Sequence, residues 1–275
     1  MSIMDLQDMA KQGLDSILSQ EAPNIVDVLF GRHVEKVVDI DTLISEVKER
    51  VTISLKTGFL FEGVAEDSEE FLRKHILEGI NLVVLYVDLV GSTSVILKLP
   101  KEKFSKVITT FAQEMAYVIK RHEGFVLKFV GDAVIGYFID HNSKPSADRA
   151  VSCAESMIKV MKLGINPILK KSSLPELKIK IGMDYGEVTV VLYGNDVKNS
   201  HVDLIGPSLN IGAKIQNLAN PDQILIGDAV FTRLHNSLKQ YFIKLSVDKQ
   251  TWNYKQLDSK KTYPVYAYVG KQNHS

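Results

Sequence analysis

LVVLYVDLVGST, from Leu82 to Thr93, is the stretch that decides how this chain reads. An apolar run that ends on an acid and then breaks into Gly-Ser-Thr predicts a buried strand. It delivers a carboxylate, Asp88, to its C-terminal end, followed by a small-residue turn whose amides can cradle phosphate. Side chains alternate along a strand with period two, so Val84, Tyr86 and Asp88 share one face while Leu85 and Val87 point the other way. Tyr86 therefore flanks whatever Asp88 binds.

Outward from this strand, the whole chain of 275 residues has room for one domain of ordinary size plus an extension. Lysine plus arginine equals aspartate plus glutamate at 33 each, which removes the global basic field of a nucleic-acid or anionic-membrane binder, so any anion site is local. Cys153 is the single cysteine, which excludes a disulfide framework and a thiolate metal cluster. The segment MSIMDLQDMA carries early acids and no basic flank, unlike a signal peptide, and no apolar stretch is long enough to cross a bilayer. These features predict a soluble, cytoplasmic protein with no membrane insertion and no nucleic-acid partner.

Residues 1–75 read as a mainly helical extension, with Met4, Leu6, Met9, Leu14, Ile17 and Leu18 at helical spacing and short elements around Val37 to Val47. Packing or dimerisation is the role expected there, and residues 76–270 form the expected catalytic domain. Pro100 opens a helix through Phe104, Val107, Phe111, Met115 and Val118 that Gly124 closes. FVLKFV and AVIGYFI, joined by Gly131-Asp132, predict a hairpin with a second acid at its tip. A helix over 147–163 follows, ended by Asn166-Pro167. LKIKIGM and EVTVVLY, separated by Asp184-Tyr185-Gly186, read as a second hairpin. Pro207 starts a helix on which Asn210 and Lys214, four apart, share a face. A short strand at 223–227, a helix at 228–239 and a last strand at 262–269 complete an α+β sandwich, its helices packed on a mostly antiparallel sheet.

Asp88 at a strand end and Asp132 at a hairpin tip are carboxylates with no histidine or cysteine alongside, a donor set for Mg²⁺ or Mn²⁺ rather than Zn²⁺. Singly, each acid reads equally as a turn or cap residue. In order and spacing, YVDLVGST, KFVGDAVIGYF, KIGMDYGEV and VDLIGPSLNIGAKI resemble the four motifs of class III nucleotidyl (adenylate and guanylate) cyclase catalytic domains over roughly residues 80–240. The resemblance implies the class III fold with its ferredoxin-like βαββαβ core. It implies that Asp88, Asp132 and the Leu89 carbonyl bind two divalent cations, that Gly91, Ser92 and Thr93 hold the triphosphate, and that Lys180 contacts it. Asn210 would orient the ribose. Lys214 stands where the family usually has arginine, and an ammonium is a point charge without a planar fork. A homodimer with shared active sites is also implied, one subunit supplying the acids and its partner the base-reading and ribose-orienting residues.

Lys128 and Asp203 match the base-reading positions of adenylate cyclases. An acid accepts from an exocyclic amino group and a lysine donates to the adjacent ring nitrogen, the edge that adenine and cytosine both present. Tyr86 stands where purine cyclases commonly have phenylalanine, and with KFVGDAVIGYF, the Asn166-Pro167-Ile168-Leu169 stretch and Lys214 it resembles the pyrimidine cyclases of bacterial Pycsar anti-phage systems. The expected activity is conversion of CTP or UTP to the 3′,5′-cyclic nucleotide. The alternatives are an adenylate cyclase acting on ATP and a catalytically silent nucleotide-binding module.

Overall fold

The computed structural model describes residues 39–57, 64–92, 99–140, 145–194, 196, 198–248, 250–256 and 261–270. The helical spacing read over Met4 to Leu18 and the start of the Val37 stretch lie outside them, as does Thr93. Among the described residues, helices α1 (Ile40–Thr57) and α2 (Glu66–Lys74) precede strand β1 (Gly79–Leu89). Then come α3 (Lys101–Arg121), the hairpin β2 (Phe125–Val130) and β3 (Ala133–Ile139), and α4 (Ser146–Lys159). A π-helical segment, Val160–Ile165, joins α4 to α5 (Asn166–Lys171), which leads to β4 (Ile179–Tyr193) and β5 (His201–Ile205). Helix α6 (Pro207–Leu218), β6 (Gln223–Gly227), the short helices α7 (Asp228–Arg233) and α8 (Asn236–Lys239), β7 (Phe242–Lys244) and β8 (Val265–Tyr268) complete the chain.

The strands form one sheet in the order β2-β3-β1-β4-β6-β8-β7, with β5 on the far half of β4. Every pairing is antiparallel except β4 with β6. Within it, β1-α3-β2-β3-α4-β4 with strand order β4-β1-β3-β2 is the ferredoxin-like core expected from the element order.

The strand alternation read from Leu82 onward separates two cores. Val83, Leu85, Val87 and Leu89 pack beneath the helices, against Phe111, Met115 and Val118 of α3 and Val151, Ala154 and Met157 of α4. Leu43, Val47 and Val51 of α1 belong to the same cluster, so the core runs across residue 75, where the sequence suggested an extension would end. On the opposite face Leu82 and Val84 join Ile135, Tyr137, Val188, Val190 and Leu209 of α6. Burying apolar surface on both faces contributes about 25 cal/mol per Å² and holds β1 central.

Several local expectations give way to tertiary contacts. Asp184-Tyr185-Gly186 is not a turn, because β4 runs straight through it and pairs with β1 from Ile179 to Thr189. Gly186 marks a close approach instead, since a Cβ there would come within 3.1 Å of the Ser208 side chain. HVDLI is a strand paired with Thr189 to Tyr193. Asn166-Pro167 does not stop the helical run. The π-helical turn carries the chain into α5, and the Asn166 amide clasps the Leu177 backbone with two hydrogen bonds of 2.9 Å. The helix read over 228–239 is broken in two at Leu234 and His235.

Candidate active site

Asp88 reaches the sheet rim because β1 ends there, and it is cross-strand from Lys180 on β4. Asp132 sits in the tight β2–β3 turn, which Gly131 makes with φ +62°. Burial, then the negative charge of Asp132, raises the Asp88 carboxyl above the ordinary aspartate range, while hydrogen bonds from the Leu89 amide and Gln216 and the charge of Lys180 pull it back. The charge of Asp132 thus reaches Asp88 and disfavours its ionisation. Among the described residues no three His, Cys, Asp or Glu side chains gather to hold a metal. The chemistry of this oxygen-only pair suits a hard divalent cation, which Asp88 and Asp132 could hold as charged donors together with the adjoining Leu89 carbonyl.

After β1, Val90 donates to the Lys178 carbonyl at 2.9 Å and Gly91 takes φ +66°.

Tyr86 lies in one cross-strand row with Lys128, Ile135 and Gly182. Lys128 enters that row through a β-bulge: Leu127 is an extra residue, so Lys128 rather than Leu127 pairs with Ile135. Without the bulge the alternation would put Lys128 on the helix-covered face. Its ammonium ion-pairs with Asp203 of β5, whose carboxylate is mostly buried and also accepts from the Leu204 amide at 2.9 Å. Burial, then the charge of Asp203, pushes the Tyr86 hydroxyl up to about 12, so it stays a neutral donor beside that carboxylate. Donor, acceptor and aromatic wall therefore stand together on the Asp88 face.

Asn210 and Lys214 are exposed on α6. Among the described residues no hydrogen bond or ion pair joins either to Asp88 or Asp132. The residue of α6 that does reach Asp88 is Gln216, whose Nε2 donates to Oδ2 at 3.3 Å. Sequence reading missed it. The available signal was Gly182, a glycine inside a strand, which marks close backbone approach. A Cβ on Gly182 would fall 2.2 Å from the Gln216 backbone nitrogen, so α6 is seated directly on β4. One turn earlier Gly212 seats the helix on Val84 and the Tyr86 ring.

Residues 78–265 match the family model described as the adenylate and guanylate cyclase catalytic domain. The chain belongs to this cyclase family. Class III cyclases use divalent metal ions, in keeping with the paired acids. The domain is similar to a cytidylate cyclase of Escherichia coli, 27% identical over 184 residues, covering 63% of this chain and 39% of the relative. It is also similar to a cytidylate cyclase of Staphylococcus aureus, 28% identical over 152 residues, covering 53% and 36%. The chain thus spans little more than a third of the length of these relatives. The guanylyl cyclase Cya2 shares the cyclase fold with a TM-score of 0.59 at 23% identity, covering 72% of this chain and 96% of that one. No helix among the described residues is long and apolar enough to cross a membrane.

Proposed function

We propose that this protein is a pyrimidine nucleotidyl cyclase that converts CTP, ahead of UTP, to the 3′,5′-cyclic nucleotide and pyrophosphate. The observation that carries this reading is the row of Tyr86 and bulge-directed Lys128, with Asp203 paired to that lysine, two residues along the strand face from Asp88. The Tyr86 ring narrows the pocket against a two-ring base. The adjacent ammonium and carboxylate suit an amino group beside an acceptor nitrogen, which among single-ring bases selects cytosine.

In the reaction the ribose 3′-hydroxyl oxygen bonds to the α-phosphorus, its proton leaves, and the bond to pyrophosphate breaks. Two divalent cations, Mn²⁺ or Mg²⁺, held by Asp88, Asp132 and the Leu89 carbonyl, would lower the hydroxyl's pKa and neutralise the leaving group. Gly91, Ser92 and Thr93 cradle the triphosphate, Lys180 offsets its charge, Asn210 orients the ribose and Lys214 stabilises charge at the α-phosphate. Gln216 faces Asp88 while Asn210 and Lys214 face solvent, and Lys214 and Gln216 are two residues, about 200°, apart around the helix. Asn210 and Lys214 therefore serve the acids of a second copy in a homodimer with two shared sites, whereas Lys128 and Asp203, beside Tyr86 of their own chain, read the base from the side of the acids and not from the partner as the family resemblance implied.

The resemblance of Tyr86, KFVGDAVIGYF and Lys214 to the Pycsar cyclases supports the product being an anti-phage defence signal. Adenine presents the same edge as cytosine, so the Lys128–Asp203 pair keeps an adenylate cyclase acting on ATP as the second reading. Tyr86→Phe separates the two. A lost hydrogen bond in such a pocket costs about 1 to 3 kcal/mol, so selectivity should move toward ATP by roughly ten- to a hundredfold. If wild type cyclises ATP best and Tyr86→Phe leaves the ranking unchanged, the pyrimidine reading is wrong.

A further inference from the structure

Of the polar groups surrounding Asp88, Gln216 has no role in any motif, yet it is 6% exposed and spends its side-chain amide on the carboxylate. We propose that Gln216 is a positioning residue that fixes the Asp88 carboxylate for divalent-cation binding. The inference rests on the metal reading of Asp88 and Asp132.

Three features carry it. The amide nitrogen of Gln216 donates to one oxygen only, Oδ2. The carboxylate also accepts from the Leu89 amide, and the lone pairs that remain are left for a cation. The Gln216 backbone is fixed independently by its seat on Gly182, where even a methyl group would collide with the helix nitrogen and Cα at 2.2 and 2.4 Å. Helix α6 is pinned again one turn away, where Gly212 meets Val84 and Tyr86. The donor is therefore held by β1, which presents the carboxylate, and by its neighbour β4. An amide also suits the task because it stays neutral at working pH: it neither competes with the cation as a positive charge nor adds a third repelling acid. Partners that orient a metal ligand are typically worth ten- to a hundredfold in metal affinity.

The test is Mn²⁺ binding to the 275-residue chain, followed by electron paramagnetic resonance without nucleotide, for wild type, Gln216→Met and Asp132→Ala. Methionine keeps the volume and buried packing of glutamine and removes the donor. The expected result is at least tenfold weaker Mn²⁺ binding by Gln216→Met, with a thermal midpoint near wild type. Mn²⁺ binding by Gln216→Met equal to that of wild type, with Asp132→Ala weakened, would overturn the positioning role while leaving the metal site standing. Failure of wild type to bind Mn²⁺ saturably, or Asp132→Ala binding like wild type, would instead remove the metal reading and this inference with it. Should Gln216→Met fold poorly, Gln216→Leu, read in the same assay, carries the same expectation.

Discussion

Adding one methyl group at Gly182 tests whether the seat of α6 sets the active-site geometry. In Gly182→Ala the new Cβ would lie 2.2 Å from the Gln216 nitrogen and 2.4 Å from its Cα, both backbone atoms that no side-chain rotation can move aside. Carbon contacts settle at about 3.5 to 4.0 Å, so the helix must back away from β4 by about 1 Å or more. Overpacking of this kind costs about 1 to 3 kcal/mol, and for a domain of this size each kcal/mol lowers the midpoint by roughly 2 to 4 °C. The larger effect falls on chemistry. Gln216 leaves Asp88, and Asn210 and Lys214 move with the same helix. A displacement of about 1 Å costs on the order of a hundredfold in rate. The assay is turnover at saturating triphosphate and Mn²⁺, read beside a thermal melt. A folded Gly182→Ala protein with wild-type turnover and an unchanged midpoint would refute the claim that this contact positions the site.

Three further outcomes follow from named contacts. Asp88→Ala and Asn210→Ala should each be inactive, yet mixing them should restore partial turnover, because heterodimers rebuild one intact site; no rescue despite demonstrated subunit exchange would rule out shared sites. Asp132→Ala should abolish turnover and leave the fold intact, since Asp132 lies half-buried in the β2–β3 turn outside the apolar core, and near-normal turnover would exclude the two-metal reading. Asp184, 2% exposed and bonded by the Tyr263 hydroxyl at 2.7 Å, has its carboxyl pushed up to about 7, chiefly by burial. Because its folded pKa exceeds the unfolded value, the unfolded chain releases this proton first as pH rises, and stability falls between about pH 4 and 7. Asp184→Asn removes that cost, on the order of a few kcal/mol, so the variant should gain stability over wild type from pH 5 to pH 8. A constant difference across that range would show that the carboxyl ionises normally.

What could be read from the sequence was whatever a local pattern controls. The β1 strand with its alternating faces, the β2–β3 hairpin with Asp132 in its turn, and the Pro207 helix follow from apolar spacing and turn chemistry, and the structure has each of them. The errors arose where distant contacts overrule local ones. Asp184-Tyr185-Gly186 has turn composition, but β1 and then β5 pair along its strand and keep it extended. Helix α1 looked detachable because its partners, α3 and the π-helical segment, lie 40 or more residues further on. The candidate site divides the same way. Asp88 and Tyr86 were placed together by strand period alone, whereas the meeting of Lys128 with Asp203 depends on a bulge and an unrecognised strand. Gln216 was invisible because its role exists only once α6 lies across Gly182.

The central claim is tested most directly by incubating the purified protein with ATP, GTP, CTP and UTP in equal amounts plus Mn²⁺ and identifying the cyclic products by mass spectrometry. The account predicts cyclic CMP as the main product, cyclic UMP next and less cyclic AMP than either, all lost in Asp88→Ala. Cyclic AMP as the dominant product would contradict the pyrimidine assignment, and no cyclic product from any of the four triphosphates would contradict cyclase activity itself.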